Sequence, residues 1–470
     1  MKKNLKIIQK RILADTLTPV IIYLKLRDLY PYTLLLESSD YESSVNSKSI
    51  ICASPISRFV VKNNTLNVES PGGDKIFHQF QNKRELLDLL TESFSSFHVD
   101  SKENEIGCNG FFGYMTFDSV KFFEPVSFNK PCDENSIIPE MIYAAYRFVI
   151  VADHFKNEIL LIENLIGNQE SELEALIAII RNRNFPMYTF QSNGEEKSYF
   201  RDADFLEIVS KGKQHCQLGD VFQVVLSRKY SRPFLGDDFN VYRALRSINP
   251  SPYLFYFDMG EFRIFGSSPE AQLTIKNNKA AIFPIAGTYE RNGDPEFDKK
   301  EAEKLLLDEK ENAEHVMLVD LARNDLSRSS SNVSVESFKE IQYFSHVIHM
   351  VSRVTASLGT DEFNFDIVAD TFPAGTLSGA PKIRAIELIS ELEDSPRGYY
   401  GGAIGYISFN GEYNHAIMIR SFLSKNNQLT YQAGAGIVAK SNPDKELDEV
   451  NHKLNALRQA IENATKINYL

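Results

Sequence analysis

The sequence has no tryptophan and few cysteines. Among 470 residues there are 0 Trp and 4 Cys, against 33 Phe and 21 Tyr. The cysteines are widely scattered and no CxxC spacing occurs, so the usual zinc and redox motifs are not supported. Scattered thiols in a chain of this size are typical of a reducing compartment, which predicts a cytoplasmic protein.

Long apolar runs and an excess of positive charge are also missing. No stretch approaches the roughly 20 apolar residues of a membrane span, and the N-terminal segment MKKNLKIIQKRILADTLTP lacks the apolar core of a signal peptide. The formal net charge of −12 disfavours a general nucleic-acid binder. A small anionic substrate remains possible where the site is locally basic, helix-capped or metal-neutralised.

Strand-like runs and amphipathic helices are mixed along the whole chain. The runs YTLLLES, GFFGYMTF and YRFVIVADHF predict strands, and SELEALIAIIRNR predicts a helix. One long helix is expected at residues 297–322, another from Pro381 with Ser378 as its capping residue, and YNHAIMIRSFL is expected to be one strand. We predict an α+β fold, with helices packed on antiparallel sheets in two lobes.

A polar segment separates the two halves of the chain. Residues 186–200 lack apolar periodicity and are expected to form a linker. We therefore predict two domains, residues 1–190 and residues 191–470.

Two predicted helices each carry a pair of glutamates on one face. Glu311 and Glu314 are three residues apart, and the last helix repeats this spacing with Glu446 and Glu449, followed by Lys453. For one helix alone, a solvated surface pair is the commoner meaning. Facing each other, the two helices would offer Mg²⁺ the oxygen ligands that it prefers.

Two segments rich in small residues lie between these two helices in the sequence. FPAGTLSGAPK leads into a helix, and QAGAGIV lies in a predicted strand; both allow the backbone to approach an anion closely, although each is also compatible with a tight turn or close strand packing. An arginine at a strand end and a tyrosine beside two glycines add a cation and a phenol. Together these features suggest a pocket for a small dianion.

Eight ordered motifs between about residues 200 and 462 carry a family resemblance. They are GDVFQVVLSR, GSSPE, PIAGT, DEKENAEHVMLVDLARNDL, FPAGTLSGAPK, YYGGAIGY, QAGAGIV and ELDEVNHK. With them the chain resembles the chorismate-utilising enzymes, and the segment LLLES in its first half resembles the N-terminal domain of anthranilate synthase large subunits. The resemblance implies layered antiparallel β-sheets flanked by helices.

The resemblance also implies roles for the candidate residues. Mg²⁺ is expected between Glu314 and Glu449, with Glu311 and Glu446 close by. Arg420 and Tyr400 are expected to hold the pyruvyl carboxylate of chorismate. The remaining expected substrate contacts are Thr376, Gly434, Ala435, Gly436 and Lys453, the last of which also balances the acidic cluster.

The implied chemistry is amination of chorismate with ammonia, followed by elimination of pyruvate to give anthranilate, the first step of tryptophan biosynthesis. Glu270 resembles the general acid, His349 the assisting histidine, and Thr288 belongs to the catalytic PIAGT motif. Water-adding relatives have a lysine base where this chain has Gln223, and aminodeoxychorismate synthases have a nucleophilic lysine where it has Ala286. The chain departs from the family pattern in one place: the arginine usual after PIAGT is replaced by Tyr289.

No segment resembles a glutaminase, so a glutamine amidotransferase subunit (component II) is the expected ammonia source, in a hetero-oligomer. Feedback inhibition by tryptophan is also expected, although plain packing between the halves is the alternative for that region. The large subunit of aminodeoxychorismate synthase and a non-catalytic chorismate- or tryptophan-binding regulator remain rival functions. The expected tryptophan contacts are Glu37, Ser38, Lys48, Pro252, Tyr253, Leu254, Ile404 and Tyr406.

Overall fold

The computed structural model describes residues 3–38, 47–70, 73–99, 107–128, 130, 134, 137–343, 347–359 and 363–467. Its strands are β1 (Lys3–Leu13), β2 (Leu34–Glu37), β3 (Lys48–Lys62), β4 (Thr65–Glu69), β5 (Lys75–Gln79), β6 (Phe97–Val99), β7 (Gly110–Met115), β8 (Met141–Asp153), β9 (Glu158–Ile166), β10 (Phe190–Ser192), β11 (Lys197–Ser198), β12 (Gln223–Gly236), β13 (Tyr253–Asp258), β14 (Phe262–Ser268), β15 (Ala271–Lys276), β16 (Lys279–Ile282), β17 (Ile285–Glu290), β18 (Ser331–Tyr343), β19 (Val347–Ser357), β20 (Gly379–Ala380), β21 (Ala403–Ser408), β22 (Tyr413–Ile417), β23 (Ser421–Lys425) and β24 (Gln428–Ile437).

Helices cover the sheets that these strands form. They are α1 (Pro19–Leu26), α2 (Lys83–Phe94), α3 (Leu173–Asn182), α4 (Asp202–Leu218), α5 (Phe239–Ile248), α6 (Pro295–Leu307), α7 (Glu309–Ser327), α8 (Phe365–Thr371), α9 (Gly375–Ser378), α10 (Lys382–Leu392) and α11 (Pro443–Ala464), with a 3-10 helix at Phe117–Phe122. Within the described ranges no helix is both long and apolar enough to cross a membrane.

The long strand β8 is the point from which two sheets diverge. It pairs antiparallel with β3 on one edge, and on the other edge with β7 near its start and β9 near its end. From β3 one sheet continues through β2, β13, β14, β23, β24 and β12. From β7 the other continues through β21, β22, β15, β16, β19, β17 and β18. The expected α+β fold of layered, mainly antiparallel sheets flanked by helices is confirmed.

Both sheets run from strands of the first half into strands of the second half. The crossings are β2 with β13 and β7 with β21. The backbone hydrogen bonds of these pairs join residues on either side of position 190. The division into two domains therefore stays a prediction based on sequence.

Strand β7 shows why these segments are so apolar. All of its residues are buried, and they alternate between two hydrophobic clusters. Phe111 and Met115 pack into one cluster, whereas Phe112 and Tyr114 pack into the other. A strand with a core on each face needs apolar residues at every position, and the run GFFGYM meets that requirement.

The prediction of one helix at residues 297–322 is wrong, because the helix is interrupted at Asp308. This residue ends α6, and its carboxylate accepts the backbone N–H groups of Lys310 and Glu311 at 2.9 and 3.0 Å. An aspartate that caps a helix in this way favours a new start over continuation. Helix α7 therefore has its own N-terminus next to Glu311 and Glu314.

Two smaller expectations are also corrected. The segment expected to be a linker contains β10 and β11, which both add to β12 because its edge offers unpaired backbone groups. Ser378 does not cap α10: its hydroxyl donates to the carbonyl of Ala374, and Gly379 begins β20, which pairs with β12.

Candidate active site

Most of the predicted site residues line one cleft of about 810 Å³. Residues of β12, β24 and α11 line one side of this cleft. Residues of β17, β19 and α7 line the other side. This volume suits a small organic ligand. The predicted residues that line it are Gln223, Glu270, Glu311, Glu314, His349, Thr376, Tyr400, Arg420, Gly434, Gly436, Glu446, Glu449 and Lys453.

Two predicted site residues stand apart from this group. The side chain of Ala435 packs in the hydrophobic core and does not line the cleft, because successive residues of a strand face opposite sides. The backbone of Thr288 lies opposite His349 in the pairing of β17 with β19, and its side chain lies outside the described residues.

Glu270 is a carboxyl group with an acid–base range near neutrality. It follows β14, and its Oε1 accepts the hydroxyl of Thr376 at 2.8 Å. Burial raises the pKa of Glu270 to about 7, although the Thr376 hydrogen bond and the charges of Lys453 and Arg420 lower it. Such a carboxyl group is protonated in a large fraction of molecules at neutral pH, as a general acid requires.

His349 lies across the cleft on β19 with a defined tautomer. Its Nδ1 lies 3.1 Å from the carbonyl oxygen of Gly287, which can only accept, so Nδ1 carries the proton. The pairing of β17 with β19 is irregular between Ala286 and Thr288, which turns this carbonyl towards the ring. Burial lowers the pKa of His349, so the neutral ring with Nε2 as its acceptor is favoured.

The four predicted metal-binding glutamates line the same cleft from two helices, α7 and α11. Burial raises the pKa of Glu311, and the neighbouring charges of Glu314 and Glu449 raise it further. Burial also raises the pKa of Glu446, with Glu449 adding to the effect. Interaction between Glu311 on α7 and Glu449 on α11 shows that the two helices bring like charges together.

This donor set fits a hard divalent cation. Carboxylate oxygens are the protein ligands that Mg²⁺ prefers, and a cation would relieve the repulsion among them. Lys453 neutralises part of the charge, because its Nζ lies 2.7 Å from Glu449 and 2.9 Å from the carbonyl oxygen of Gly434. In the described part of the chain, no group of three or more His, Cys, Asp or Glu side chains forms a preassembled metal cage.

Gln223 on β12 forms a hydrogen bond to helix α7. It is 2% exposed, and its Nε2 donates to Oε1 of Glu314 at 2.9 Å. A Cβ atom on Gly436 would lie 2.4 Å from this nitrogen, so only glycine leaves room for the contact. Within the described residues the amide oxygen of Gln223 has no hydrogen-bond partner.

The turn between β22 and β23 delivers Arg420 to the cleft. The run YNHAIMIRSFL, expected to be one strand, breaks here, because Arg420 has a φ of +48°, in the left-handed region that ends strand pairing. Its Nη1 donates to Oδ1 of Asn249 at 3.1 Å. Burial lowers the pKa of Arg420, and the charge of Glu270 opposes this. The guanidinium of Arg420 lines the cleft, as does the buried Tyr400.

A buried ion pair behind Tyr400 was not predicted from the sequence. Arg397 donates to Glu393 at 2.6 Å and to the carbonyl oxygens of Leu377 and Val225 at 2.5 and 2.6 Å. It therefore ties β12 and α9 together next to Tyr400. One indication of this role was present in the sequence: Arg397 lies in the segment SPRGYYGG, three residues before the predicted site residue Tyr400.

Gln432 is a second residue that sequence reasoning missed. It lies in the motif QAGAGIV, two residues before Gly434 and on the same face of β24, and it lines the cleft. The signal was available, since alternate residues of a strand share a face.

Comparison with known proteins agrees with this geometry. The family model for chorismate binding enzymes matches residues 31–459. The chain belongs to the chorismate binding enzyme family. Among its curated relatives, anthranilate synthase component 1 of Aquifex aeolicus is 37% identical and covers 96% of this chain and 93% of the relative. The Thermus thermophilus protein of the same name is 36% identical, covering 97% of this chain and 98% of the relative.

Solved structures of the family have the same fold. Anthranilate synthase component I from Streptococcus pneumoniae matches with a TM-score of 0.78 and 33% identity, over 96% of this chain and 99% of that one. The menaquinone-specific isochorismate synthase of Escherichia coli matches with a TM-score of 0.73 and 18% identity, over 98% of this chain and 95% of that one. The second likeness concerns the fold alone.

The predicted tryptophan contacts of this family member lie where its two halves meet. Oε2 of Glu37 accepts the hydroxyl of Tyr242 at 2.7 Å and Nε of Arg246 at 2.9 Å, and Leu254 pairs with Glu37 between β13 and β2. One hydrophobic cluster contains Ile404, and Tyr253 and Tyr406 pack against it. Ser38 directly follows β2, and Pro252 is partly buried. Lys48 begins β3 and has an exposed side chain.

Proposed function

We propose that this chain converts chorismate and ammonia into anthranilate and pyruvate, the first step of tryptophan biosynthesis, with Mg²⁺ as cofactor. The observation that carries the proposal is a protonatable Glu270, with a pKa of about 7, in one cleft with His349 and the glutamates of two helices. The names of the most similar curated relatives support the same reaction.

Substrate binding follows from the cations and small residues of the cleft. Arg420 and Tyr400 bind the pyruvyl carboxylate, since a guanidinium and a phenol both donate to carboxylate oxygens. Gly434 and Gly436 leave the backbone accessible to the substrate, and Lys453 balances its charge. Thr376 keeps Glu270 oriented through their hydrogen bond.

Glu270 acts first, as the general acid. Its proton passes to the hydroxyl at C4, which leaves as water while ammonia forms a bond to C2. The new amine carries one proton in excess, which returns to the carboxylate. His349 then takes the C2 proton through Nε2, and the ring becomes aromatic as the C3–O bond breaks and its electron pair leaves with the oxygen. The departing group is the enolate of pyruvate, which takes up one proton at its CH₂ carbon to give pyruvate.

The glutamates of α7 and α11 bind the cofactor. Glu314 and Glu449 would hold Mg²⁺, with Glu311 and Glu446 close by. When bound, Mg²⁺ neutralises the ring carboxylate and withdraws electron density from the ring. Gln223 keeps Glu314 in place through the hydrogen bond from its amide nitrogen.

Two residues separate this reaction from those of close relatives. Gln223 is not basic at neutral pH and does not activate water, which argues against isochorismate formation. Ala286 lines the cleft and has no nucleophile, which argues against the covalent route of aminodeoxychorismate synthases. Both features leave ammonia as the attacking group at C2.

The test is product identification with the purified chain, chorismate, Mg²⁺ and an ammonium salt at mildly alkaline pH. Fluorescent, aromatic anthranilate together with pyruvate is expected. A non-aromatic aminodeoxychorismate or isochorismate would refute the proposal, as would the absence of any product in the presence of bound chorismate.

The partner and the regulation belong to the same proposal. A glutamine amidotransferase subunit supplies ammonia in a cytoplasmic hetero-oligomer, so the chain alone uses ammonium salts and leaves glutamine untouched. Tryptophan binds between the halves at the cluster around Glu37 and Tyr406 and inhibits the enzyme by coupling the two sites. Glutamine turnover by the purified chain alone would contradict the first part, and activity unchanged by tryptophan the second.

A further inference from the structure

The two helices that carry the predicted metal-binding glutamates also carry two lysines that the mechanism above leaves without a role. The first turns of α7 and α11 have the same pattern, Lys-Glu-x-x-Glu, with Lys310 before Glu311 and Lys445 before Glu446. Both lysines line the cleft, and both are exposed to solvent. A side chain that is exposed and also lines a cleft lies at its opening, so the two ammonium groups belong to the mouth of the site.

Neither of these ammonium groups is held by a partner. Within the described part of the chain, the side chains of Lys310 and Lys445 form no hydrogen bond and no ion pair. Lys453, by contrast, is held by a glutamate and a backbone carbonyl. Lys310 lies close enough to both helices for its charge to lower the pKa of Glu311 on α7 and of Glu446 on α11. Its charge therefore acts on both sides of the cleft.

The two lysines decide the sign of the net charge in the cleft. Glu270 adds no charge in the protonated form that a general acid requires. When Mg²⁺ is bound and the other carboxylates are ionised, five negative charges stand against four cationic side chains and the two charges of the metal, which leaves one net positive charge. Without the two lysines the balance would be one net negative charge. The carboxylates are Glu311, Glu314, Glu446, Asp448 and Glu449, and the cations are Lys310, Lys445, Lys453 and Arg420.

We infer that Lys310 and Lys445 form a cationic rim that attracts the dianionic substrate into the cleft. The inference rests on the proposed function, under which chorismate brings two carboxylates. A dianion is attracted by a cleft of net positive charge and repelled by a cleft of net negative charge. Because both ammonium groups are exposed, salt screens this attraction, with a Debye length of about 10 Å at 0.1 M and about 3 Å at 1 M.

The cationic rim acts in the opposite direction on the cofactor. Its charges oppose the binding of Mg²⁺ to the neighbouring glutamates, because like charges repel each other. Removal of the rim is therefore expected to weaken chorismate binding and to strengthen Mg²⁺ binding. General damage to the site would weaken both, so opposite signs distinguish an electrostatic role from a structural one.

The test is titration calorimetry with chorismate, at saturating Mg²⁺ and without an ammonia source, at low and at high ionic strength. At low ionic strength, Lys310→Gln and Lys445→Gln should each raise the Kd for chorismate by roughly 2- to 5-fold, as exposed charge pairs imply, and the double variant should raise it further. In about 0.5 M KCl the difference from wild type should largely disappear. A separate titration with Mg²⁺ alone should give a lower Kd in the double variant.

Lys440→Gln is the matched control, because Lys440 is an exposed lysine shortly before Lys445 that does not line the cleft. It should leave both Kd values unchanged, and Lys310→Arg, which keeps the charge, should bind chorismate as wild type does. An unchanged Kd for chorismate in the double variant, a difference that persists at high salt, or an equal effect of the control variant would overturn the inference. A wild-type chain that binds chorismate but forms no anthranilate with ammonium would instead refute the proposed function.

Discussion

Replacing Glu270 with glutamine is expected to remove activity and, at the same time, to stabilise the protein at alkaline pH. The folded protein raises the pKa of this carboxyl group from 4.5 to about 7, mainly through burial. A difference of one pKa unit corresponds to about 1.4 kcal/mol. Ionised Glu270 therefore lowers the free energy of unfolding by at most about 3.5 kcal/mol.

The sign of this effect fixes the pH window. Because the pKa is raised on folding, the stability linked to the proton is complete below about pH 4.5 and is lost as the pH rises through 7. Glutamine has nearly the same shape, remains neutral throughout and can still bond to Thr376. The variant should thus gain stability over wild type above pH 7, and the gain should disappear near pH 4.5.

Urea denaturation of wild type and Glu270→Gln at several pH values measures the change in stability. Anthranilate fluorescence at fixed free ammonia measures the change in activity. We expect a loss of roughly 10²- to 10⁴-fold in kcat, the usual contribution of a general acid. Thr376→Val is a second informative variant. It removes a hydrogen bond that lowers the pKa of Glu270, so the pH at which activity falls as Glu270 loses its proton should shift upwards. A variant that is fully active, or less stable than wild type at pH 8, would refute the reasoning.

Other substitutions address the remaining parts of the cleft. Glu314→Gln and Glu449→Gln should each raise the Mg²⁺ concentration needed for half-maximal activity by at least roughly 10-fold, as loss of a charged ligand implies, and an unaltered Mg²⁺ titration would exclude them as ligands. Arg420→Lys should raise the KM for chorismate by roughly 10-fold, because lysine lacks the guanidinium fork; a changed kcat with constant KM would assign Arg420 another role. Ser38→Arg should weaken tryptophan inhibition while leaving kcat unchanged, and retention of full inhibition would show that tryptophan binds elsewhere.

The local rules of sequence reasoning succeeded where the chain itself determines the structure. Helix α3 (Leu173–Asn182) lies within the segment SELEALIAIIRNR, whose apolar spacing predicted a helix. The glutamates at a spacing of three on α7 and α11 face the cleft, as helical periodicity requires. The apolar runs GFFGYMTF and YRFVIVADHF, which predicted strands, correspond to β7 and to part of β8.

The remaining features depend on contacts between distant residues. The amide of Gln432 donates to the hydroxyl of Ser227, 205 positions away, and no local pattern contains that information. The pKa of Glu270 follows from burial beneath several elements, so residue type alone does not reveal it. The break at Asp308 was readable in principle, because an aspartate three residues before Glu311 is a capping pattern.

The position of the new C–N bond tests the central claim most directly. Purified chain, chorismate and Mg²⁺ would be incubated with ¹⁵N-labelled ammonium, and the product examined by NMR. The account predicts aromatic anthranilate with ¹⁵N on the carbon next to the carboxyl-bearing carbon, together with one equivalent of pyruvate. Label at the carbon opposite the carboxyl-bearing carbon, or a product without label, would contradict it.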